Sequence, residues 1–390
     1  MIAIRDEWKQ ITQLLRAPRF FQCYEWYESY MDTLAEADAL VYFVLARRQN
    51  SPVGIIPLAQ ATQKIAGIGV RSLELIQHPH LSLSDGVFAR SDPEEDIIRG
   101  LIAYLRRQSE IRWDVVSLPN LLEDGCILQA LKASPVASVI SDPHRRCNYV
   151  PCISFDEYSE TLSRNFRKNL RRAQNKLIKL SDVEYVSARQ QPQLNQAFDE
   201  FLEVEASGWK GTIGERSAIK LDPRLTNFYR TLCETFSRID ACEINLLRAD
   251  GRCLAAQFCL VLGDTSYRLK IGYDESYGHI QPGNLLAEYC LRRYYREGVV
   301  KYINLVSNSQ WHANWNPLSY TVSNAYVFNT TPMGLAAFAL LRGEKYLRRK
   351  YRAQLKPMIE RWRNSRKDPS PNGGPGKKKL VASEDVRLRI

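Results

Sequence analysis

The sequence predicts a mixed α/β fold, with sheets flanked by helices and a basic helix toward the C-terminal end. Three observations predict this fold. Residues 243–273 read as three short strands joined by tight turns, residues 265–306 as strand, loop, helix and strand, and residues 334–366 as one long basic helix. Because a strand–helix–strand unit usually forms a right-handed parallel crossover, we expect an antiparallel meander that continues into a parallel strand pair.

The first half of the chain mixes helices and strands. Apolar spacing predicts helices at residues 4–15, 23–34 and 92–108, and strands at residues 40–47, 53–61, 72–77 and 113–118. Residues 142–151 are polar and contain Pro. We therefore expect a first domain over residues 1–148 and a second domain over residues 149–330.

The second half begins with helices and continues with strands. Residues 163–180 are expected to be helical, because apolar residues from Phe166 to Leu177 repeat at spacings of four and three. Seven Lys and Arg and no acidic residue lie between Arg164 and Lys179, so the outer face of this helix is basic. The other predicted elements are helices at 154–162, 192–209 and 225–236, and strands at 243–248, 253–262, 265–273, 299–306 and 320–328.

The crossover at residues 265–306 holds the strongest candidate for a ligand site. The loop 274–283 contains Gly and Pro, Asn284 is expected to cap the next helix, and Gly298 is expected to end it. A helix N-terminus beside a strand end offers backbone N–H groups that suit a phosphate. Gly283 either lets a ligand approach the backbone closely or forms a tight turn before the helix.

Two groups of polar side chains are candidates for chemistry. Lys270 and Asp274 lie at a predicted strand end and share one face if the strand is regular. They form either an acid–base pair in a cleft or a structural ion pair. Glu205 and Lys210 flank Trp209 at a predicted helix end. This second group is either a solvated helix end with a core Trp or part of a site.

The positive charge is concentrated at the C-terminal end. The 390 residues carry a net charge of +11, and residues 342–390 contain 16 Lys and Arg against 5 Asp and Glu. A basic surface for a partner or an anionic membrane is therefore expected there. The nine Cys show no CxxC pair or zinc spacing, and residues 1–10 lack a signal-peptide pattern. We expect no metal and a cytoplasmic protein, peripheral at the inner membrane face.

Four stretches carry a resemblance to a known family. They read FRKNLRR at residues 166–172, FLEVEASGWKG at 201–211, DGRCLAA at 250–256 and LKIGYDESYGHIQPGNLL at 269–286. In this order and spacing they resemble the GNAT-like acyltransferases associated with bacterial cellulose and exopolysaccharide synthesis, the CelD/BcsL-like group. That group is distantly related to the FemAB-type aminoacyl transferases. The resemblance covers residues 1–330 and is strongest from residue 150 to residue 316.

The resemblance implies two GNAT-like acyltransferase domains side by side, the first of them degenerate. They would be followed by a basic C-terminal helix at residues 331–366 and a disordered tail at residues 367–390. It implies transfer of an acyl group from acyl-CoA to an amine or hydroxyl acceptor, in polysaccharide or cell-envelope biosynthesis. The residues expected to serve this reaction are Asp274, Glu205 and Lys270 in catalysis, Tyr273, Pro282, Gly283 and Asn284 in binding acyl-CoA, and Trp209, Lys210, Arg167 and Arg171 in binding substrate.

Two alternatives remain open at this point. In the first, the donor is aminoacyl-tRNA, bound by the basic helix that includes Arg167 and Arg171. In the second, the chain is a non-catalytic scaffold of a polysaccharide-synthesis assembly. Two departures from the family pattern bear on this choice. The chain lacks the Q/R-x-x-G-x-G/A phosphate loop of ordinary GNAT enzymes, and Asn304 stands where the family commonly has Asp.

Overall fold

The computed structural model describes residues 2–351, apart from residues 16, 77, 81–82, 90–92 and 213. The helices are α1 (Arg5–Gln13), α2 (Tyr24–Thr33), α3 (Glu94–Arg107), α4 (Cys126–Ala133), α5 (Phe155–Glu160), α6 (Arg164–Leu177), α7 (Gln193–Ala206), α8 (Pro223–Ser237), α9 (Pro282–Glu297) and α10 (Pro332–Lys350). None of the described helices is both long enough and apolar enough to cross a membrane. The far half of the predicted helix 331–366 and the predicted tail 367–390 lie outside the described residues.

The strands alternate with these helices, so the predicted mixed α/β fold is confirmed. The strands are β1 (Val41–Arg48), β2 (Ser51–Ile65), β3 (Ile68–Leu75), β4 (Val87–Phe88), β5 (Val115–Leu122), β6 (Ser138–Ile140), β7 (Arg145–Pro151), β8 (Glu184–Ala188), β9 (Cys242–Ala249), β10 (Arg252–Leu262), β11 (Thr265–Tyr273), β12 (Tyr302–Asn304) and β13 (Leu318–Phe328). Within the described residues these strands form one large sheet with helices on its faces.

The two halves of the chain repeat one plan. In the first half β1, β2 and β3 form an antiparallel meander, α3 follows, and β5 returns parallel to β3. In the second half β9, β10 and β11 form the meander, α9 follows, and β12 returns parallel to β11. The parallel crossover expected at residues 265–306 is therefore present. The fold consists of two similar α/β units placed side by side in one sheet.

The strands β7 and β13 join these two units into one sheet. β13 pairs with β5 of the first unit, β7 pairs with β12 of the second, and β7 and β13 pair with each other between them. The polar segment expected to separate two domains thus forms a strand in the middle of the sheet. Contacts join Met1–Leu341 into one compact unit. The domain boundary at residue 148 stays a prediction, and it falls inside β7.

Helix ends follow local sequence signals, with one correction. Ser163 accepts a hydrogen bond from the Phe166 N–H at 3.2 Å and caps α6. α9 ends at Gly298, whose φ of 71° is left-handed, as predicted. The start of α9 differs from the prediction, because Gln281 rather than Asn284 is the N-cap residue. Pro282 takes the first helical position, where its missing N–H costs nothing.

The sheet separates two apolar layers in the second unit. Alternate side chains of β10 face opposite sides, and Phe258 packs against Phe198 of α7 and Tyr229 of α8. On the other face, residues of α5, α6 and α9 share one buried cluster. The apolar stripe predicted for α6 is buried in it, from Phe166 to Leu177. This burial leaves the basic face of α6 outward.

The parallel pairing of β11 and β12 is short. It covers Thr265–Tyr267 against Tyr302–Asn304, whereas β11 continues for six further residues to Tyr273. β12 is thus shorter than the predicted strand 299–306. Beyond Tyr267 the edge of β11 that faces β12 has no partner strand in the described part of the chain. The two strands separate there, and the gap positions the candidate site.

Gly272 sets the distance between β11 and α7. A Cβ atom at this position would lie 2.6 Å from the Cα and 2.9 Å from the N of Glu205. These are backbone atoms of a helix, so a flexible side chain cannot relieve the overlap. The close approach brings the end of α7 against the end of β11, and therefore brings Glu205 to the gap between the strands.

We predict that Gly272→Ala lowers the free energy of unfolding by about 1–3 kcal/mol, the usual cost of overpacking. Gly100→Ala is the matched control, because Gly100 lies mid-helix in α3 with no atom within 4 Å of an added Cβ. The control is expected to gain about 0.5–1 kcal/mol from its higher helix propensity. Urea denaturation followed by circular dichroism measures both, and equal stabilities for the two variants would contradict the close packing.

Candidate active site

A cavity of about 360 Å³ lies beside the gap between β11 and β12. One wall is the end of α7 with the loop after it, another is formed by β10 and β11, and a third is the start of α9. Trp311 closes part of it. The side chains and glycines that line it include Glu205, Trp209, Lys210, Gln257, Arg268, Ile271, Gly272, Tyr273, Pro282, Gly283, Asn284, Leu286 and Trp311. Seven of the predicted site residues therefore meet in one cavity.

Glu205 and Lys210 form the charged pair of this cavity. Glu205 is 3% exposed, so its carboxylate is buried and the alternative of a solvated helix end is wrong. Its Oε1 accepts from Lys210 Nζ at 3.0 Å, and its Oε2 accepts from the Ile219 N–H at 2.9 Å. Lys210 Nζ also donates to the Ile271 carbonyl oxygen at 2.8 Å. The pair thus ties the end of α7 to β11 beside the gap.

Trp209 is at the rim of the cavity. Its side chain is 51% exposed, so it is not the core Trp that was one alternative. Its backbone N–H donates to Glu275 Oε1 at 2.9 Å, and Lys210 Nζ lies 5.7 Å from its ring centroid. An exposed indole beside a cavity mouth offers a flat apolar surface to a ligand.

The start of α9 forms the wall where a phosphate was expected. Pro282 has no N–H, and the N–H groups of Asn284 and Leu285 donate to the Gln281 carbonyl oxygen at 3.0 and 3.2 Å. The Gly283 N–H has no acceptor in the described part of the chain. A Cβ at Gly283 would lie 3.8 Å from Tyr273 Cδ1, so an added methyl group would be in ordinary van der Waals contact with that ring. The start of α9, with the positive end of its helix dipole, thus lies at the cavity wall.

Asp274 lies outside the cavity. Its carboxylate accepts from the Ser276 N–H at 2.9 Å and from the Ser276 hydroxyl at 2.6 Å. These bonds cap the short 3-10 helix Glu275–Ile280 that leads into α9. The structure therefore gives Asp274 a capping position and places it apart from the lining residues.

Lys270 faces the opposite side of the sheet. Its Nζ lies 5.9 Å from the ring centroid of Tyr229 in α8, and it forms no ion pair with Asp274 in the described part of the chain. Burial, together with the charge of Lys210, lowers the pKa of Lys270 to about 8. A β-bulge is the reason that the Lys270 side chain faces the side of the sheet opposite to Arg268. Arg268 pairs with Cys259 and Lys270 pairs with Phe258, which leaves Leu269 as an extra residue.

Arg167 and Arg171 are on α6 and do not line the cavity. Their helix contacts the loop before α9, where Lys176 Nζ donates to the His279 carbonyl oxygen at 3.0 Å. Neither arginine has an ion-pair partner in the described residues. The side of α6 that carries Lys176 therefore lies next to the loop that leads into the cavity wall.

Sequence reasoning missed two polar side chains of the cavity. Arg268 of β11 is 7% exposed and Gln257 of β10 is 3% exposed, and both line the cavity. The Nε of Arg268 and the Oε1 of Gln257 are buried without a hydrogen-bond partner. A signal existed in the strand TSYRLKIGY, where an arginine stands among apolar residues of a buried strand.

Asn304, the departure from the family pattern, faces a different cleft. Its Oδ1 accepts from the Val306 N–H at 2.9 Å and the Tyr320 hydroxyl at 3.0 Å. That cleft has a volume of about 590 Å³ and is lined by four tyrosines, Tyr149, Tyr267, Tyr302 and Tyr320. The absence of a carboxylate at position 304 thus leaves the charges of the candidate cavity unchanged.

Metal chemistry has no candidate centre in the part of the chain that the structure describes. No group of three or more His, Cys, Asp or Glu side chains is placed there to hold an ion. The polar groups that line the cavity include a carboxylate, an ammonium, a guanidinium and amide groups.

Comparisons with known proteins agree with this geometry. Residues 164–312 match the acetyltransferase (GNAT) domain, a range that contains the gap between β11 and β12 and all lining residues named above. No curated protein matches the chain. The matching family is named for acetyltransferases and not for cellulose or exopolysaccharide synthesis, so the expected cellulose-synthesis group is not supported.

Two solved structures are similar over most of their length. FemX has a TM-score of 0.58 and 12% identity, and the match covers 86% of this chain and 98% of FemX. The C-terminal domain (DUF2156) of a putative lysylphosphatidylglycerol synthetase from Agrobacterium fabrum has a TM-score of 0.51 and 12% identity, with coverage of 85% and 94%. At such identities the similarity concerns the fold. Residues 164–312 of this chain therefore carry a GNAT-type acyltransferase fold.

Proposed function

We propose that this protein transfers an acyl group from acyl-CoA to an amine or hydroxyl acceptor. The observation that carries the proposal is the separation of β11 and β12 beside a cavity that joins the α9 start to the Glu205–Lys210 pair. A thioester donor would lie along the unpaired edge of β11. The resemblance to envelope-related acyltransferases suggests a cell-envelope or polysaccharide acceptor.

The donor would contact two parts of the cavity. Its phosphates would approach Gly283, which lines the cavity at the positive end of the α9 dipole. Its thioester would lie beside β11 beyond Tyr267, where backbone N–H groups face no partner strand. Such groups can stabilise the negative charge that develops on a carbonyl oxygen during acyl transfer.

Glu205 is the group that we propose as the proton acceptor. Of the three predicted catalytic residues, it is the one that lines the cavity, whereas Asp274 caps a turn and Lys270 faces α8. Lys210 holds the carboxylate in place and links it to the Ile271 carbonyl. Glu205 would take the proton of the acceptor amine or hydroxyl, directly or through one water.

The proposal is tested by incubating the purified protein with acetyl-CoA and a panel of amines, amino sugars and hydroxyl compounds. Release of the free CoA thiol, with a mass increase in the acceptor, is the expected result. If no acceptor is acylated although acetyl-CoA binds, the panel lacks the acceptor. If acetyl-CoA does not bind, the acyl-CoA donor is wrong.

We predict that Glu205→Gln lowers the rate of acyl transfer by about 100- to 10,000-fold, the usual range for loss of a general base. Asp274→Asn is the matched control, because an amide oxygen can still accept the Ser276 N–H, and its rate should stay within a few-fold of the parent. Thermal unfolding and CoA binding confirm that both variants are folded. A rate for Glu205→Gln close to that of Asp274→Asn would assign the base elsewhere.

We predict that Gly283→Val weakens CoA binding by about tenfold or more, as expected for loss of one charge-assisted hydrogen bond. The branched side chain would project from the cavity wall beside Tyr273 and keep the phosphates from the Gly283 backbone. Because an added Cβ meets Tyr273 at an ordinary distance of 3.8 Å, the variant should remain folded. Isothermal titration calorimetry measures the affinity, and unchanged binding would remove the α9 start from the donor site.

A second candidate donor is aminoacyl-tRNA. The observation that favours it is the basic face of α6, which adjoins the loop leading to α9. In this case the face that includes Arg167 and Arg171 would bind the phosphates of the acceptor stem. Binding would then fall steeply with salt, since each phosphate contact releases counterions.

We predict for this second candidate that Arg167→Gln combined with Arg171→Gln reduces the slope of log affinity against log salt by about 2. Arg252→Gln, an exposed arginine in β10, is the control and should leave the slope unchanged. Filter binding of total tRNA at several salt concentrations measures these slopes. Parent protein that binds no tRNA would leave acyl-CoA as the donor candidate.

A further inference from the structure

We propose that the cavity binds the carboxylate group of a substrate at Arg268, with Gln257 accepting a neighbouring N–H or O–H of the same molecule. This inference rests on the proposed acyl transfer and adds to it a class of substrate, a small molecule with a carboxylate beside a hydrogen-bond donor. It concerns ligand binding and can therefore be tested whether or not transfer is detected.

Arg268 is a buried charge without a counter-ion. Its side chain is 7% exposed, and its Nε is buried with no hydrogen-bond partner. Within the described residues its guanidinium donates no hydrogen bond and forms no ion pair. A guanidinium stays charged in proteins and loses its hydration on burial, so such a position is unfavourable until an anion arrives.

The other charged groups of the cavity do not compensate Arg268. Among the described residues, Glu205 and Lys210 are the further charged side chains that line it, and they pair with each other at 3.0 Å. His312, a buried neighbour, adds no charge, because burial and then the charge of Arg268 lower its pKa to about 4. The cavity therefore carries one uncompensated positive charge.

Gln257 completes the recognition pattern. It lies on the same face of the sheet as Arg268, since Arg268 pairs with Cys259 and Gln257 is two residues before Cys259 on β10. Its Oε1 is buried without a partner and is therefore free to accept a hydrogen bond. A fork of N–H donors beside a lone carbonyl acceptor matches a carboxylate next to an N–H or O–H.

The surroundings favour a monoanionic carboxylate over a phosphate. Leu286, Ile271 and Trp311 make the adjoining walls, and Arg268 also borders a narrow apolar cavity with Ala287 and Leu291 of α9. One guanidinium in apolar walls can neutralise one negative charge and can hold two carboxylate oxygens in parallel hydrogen bonds. A dianion would keep an unpaired charge in the same walls, which is costly.

The carboxylate can belong to the acceptor or to the transferred acyl group, and the two sources are separated by the choice of probe. Acceptor-type probes are the standard amino acids, each compared with its C-terminal amide. Donor-type probes are succinyl-CoA and acetyl-CoA, which differ by a carboxylate on the acyl chain. Inorganic phosphate is the third arm. Each probe is added to the full-length protein, and the shift in melting temperature reports binding to the folded state.

The variant that tests the site is Arg268→Met, which keeps an extended side chain and removes the charge. If Arg268 serves a ligand, ligand-free Arg268→Met melts about 1–3 °C higher than the parent, because an unpaired buried charge is gone. Its affinity for the bound carboxylate falls about 10- to 100-fold, as for lost hydrogen bonds to a charged group. Arg268→Lys restores part of that affinity but not the two-pronged contact.

Arg293→Met is the matched control. Arg293 is also buried, but it pairs with Glu243 at 2.5 Å and with Glu297 at 3.0 Å. Removing it leaves Glu243 without that partner, so this variant should melt lower than the parent. If Arg268→Met also melts lower than the parent, as Arg293→Met should, then Arg268 has a structural role and the proposal is overturned.

Two further results would overturn the carboxylate site. In the first, no amino acid raises the melting temperature of the parent protein more than its amide does, and succinyl-CoA does not raise it more than acetyl-CoA does. The other is stabilisation by inorganic phosphate alone that Arg268→Met abolishes. A different result would overturn the proposed reaction and leave this site standing. In that result no acyl transfer is detected, the parent protein binds the carboxylate, and Arg268→Met does not bind it.

Discussion

The divergence of β11 from β12 after three residue pairs is the constraint on which the site depends. A sheet that stayed paired would bury the edge of β11 and leave no space between the strands. Because pairing stops at Tyr267, side chains of α7, β10, β11 and α9 reach one cavity from several directions. The same divergence exposes backbone N–H groups, which in a closed sheet would be taken up by the ladder.

β7 and β13 hold the strand that borders the gap in the sheet. Each of these strands pairs with a crossover strand of one unit, and they pair with each other in the centre. β12, only three residues long, is held by β7 on one side as well as by β11 on the other. The first unit thus contributes to the site through β13 and β7, which hold the strand that borders the gap.

The polar side chains of the cavity form two groups, one that is fully hydrogen-bonded and one that is not. Glu205 and Lys210 satisfy each other and the backbone, so the carboxylate proposed as the proton acceptor is held in a fixed position. Arg268 Nε and Gln257 Oε1 are buried without a hydrogen-bond partner, which native proteins seldom allow without a functional reason. The first pair suits chemistry that needs a fixed geometry, whereas the second suits a ligand that completes the hydrogen bonds. This division underlies both proposals for the site.

The sequence by itself determined the elements of the two meanders and crossovers and their order, because these depend on local signals, but it did not predict α4, β7 or β8. The apolar stripe of α6, the left-handed Gly298 after α9 and the strand–helix–strand pattern all lie within short windows. It also brought Glu205, Lys210 and Gly283 forward as candidates. Only the tertiary structure decided that β7 pairs with β12, that β13 pairs with β5, and that β7 and β13 pair with each other, since strand pairing joins residues far apart in the chain. It also placed Arg268 and Lys270 on opposite faces, because a single bulge at Leu269 breaks the alternation that a regular strand would keep.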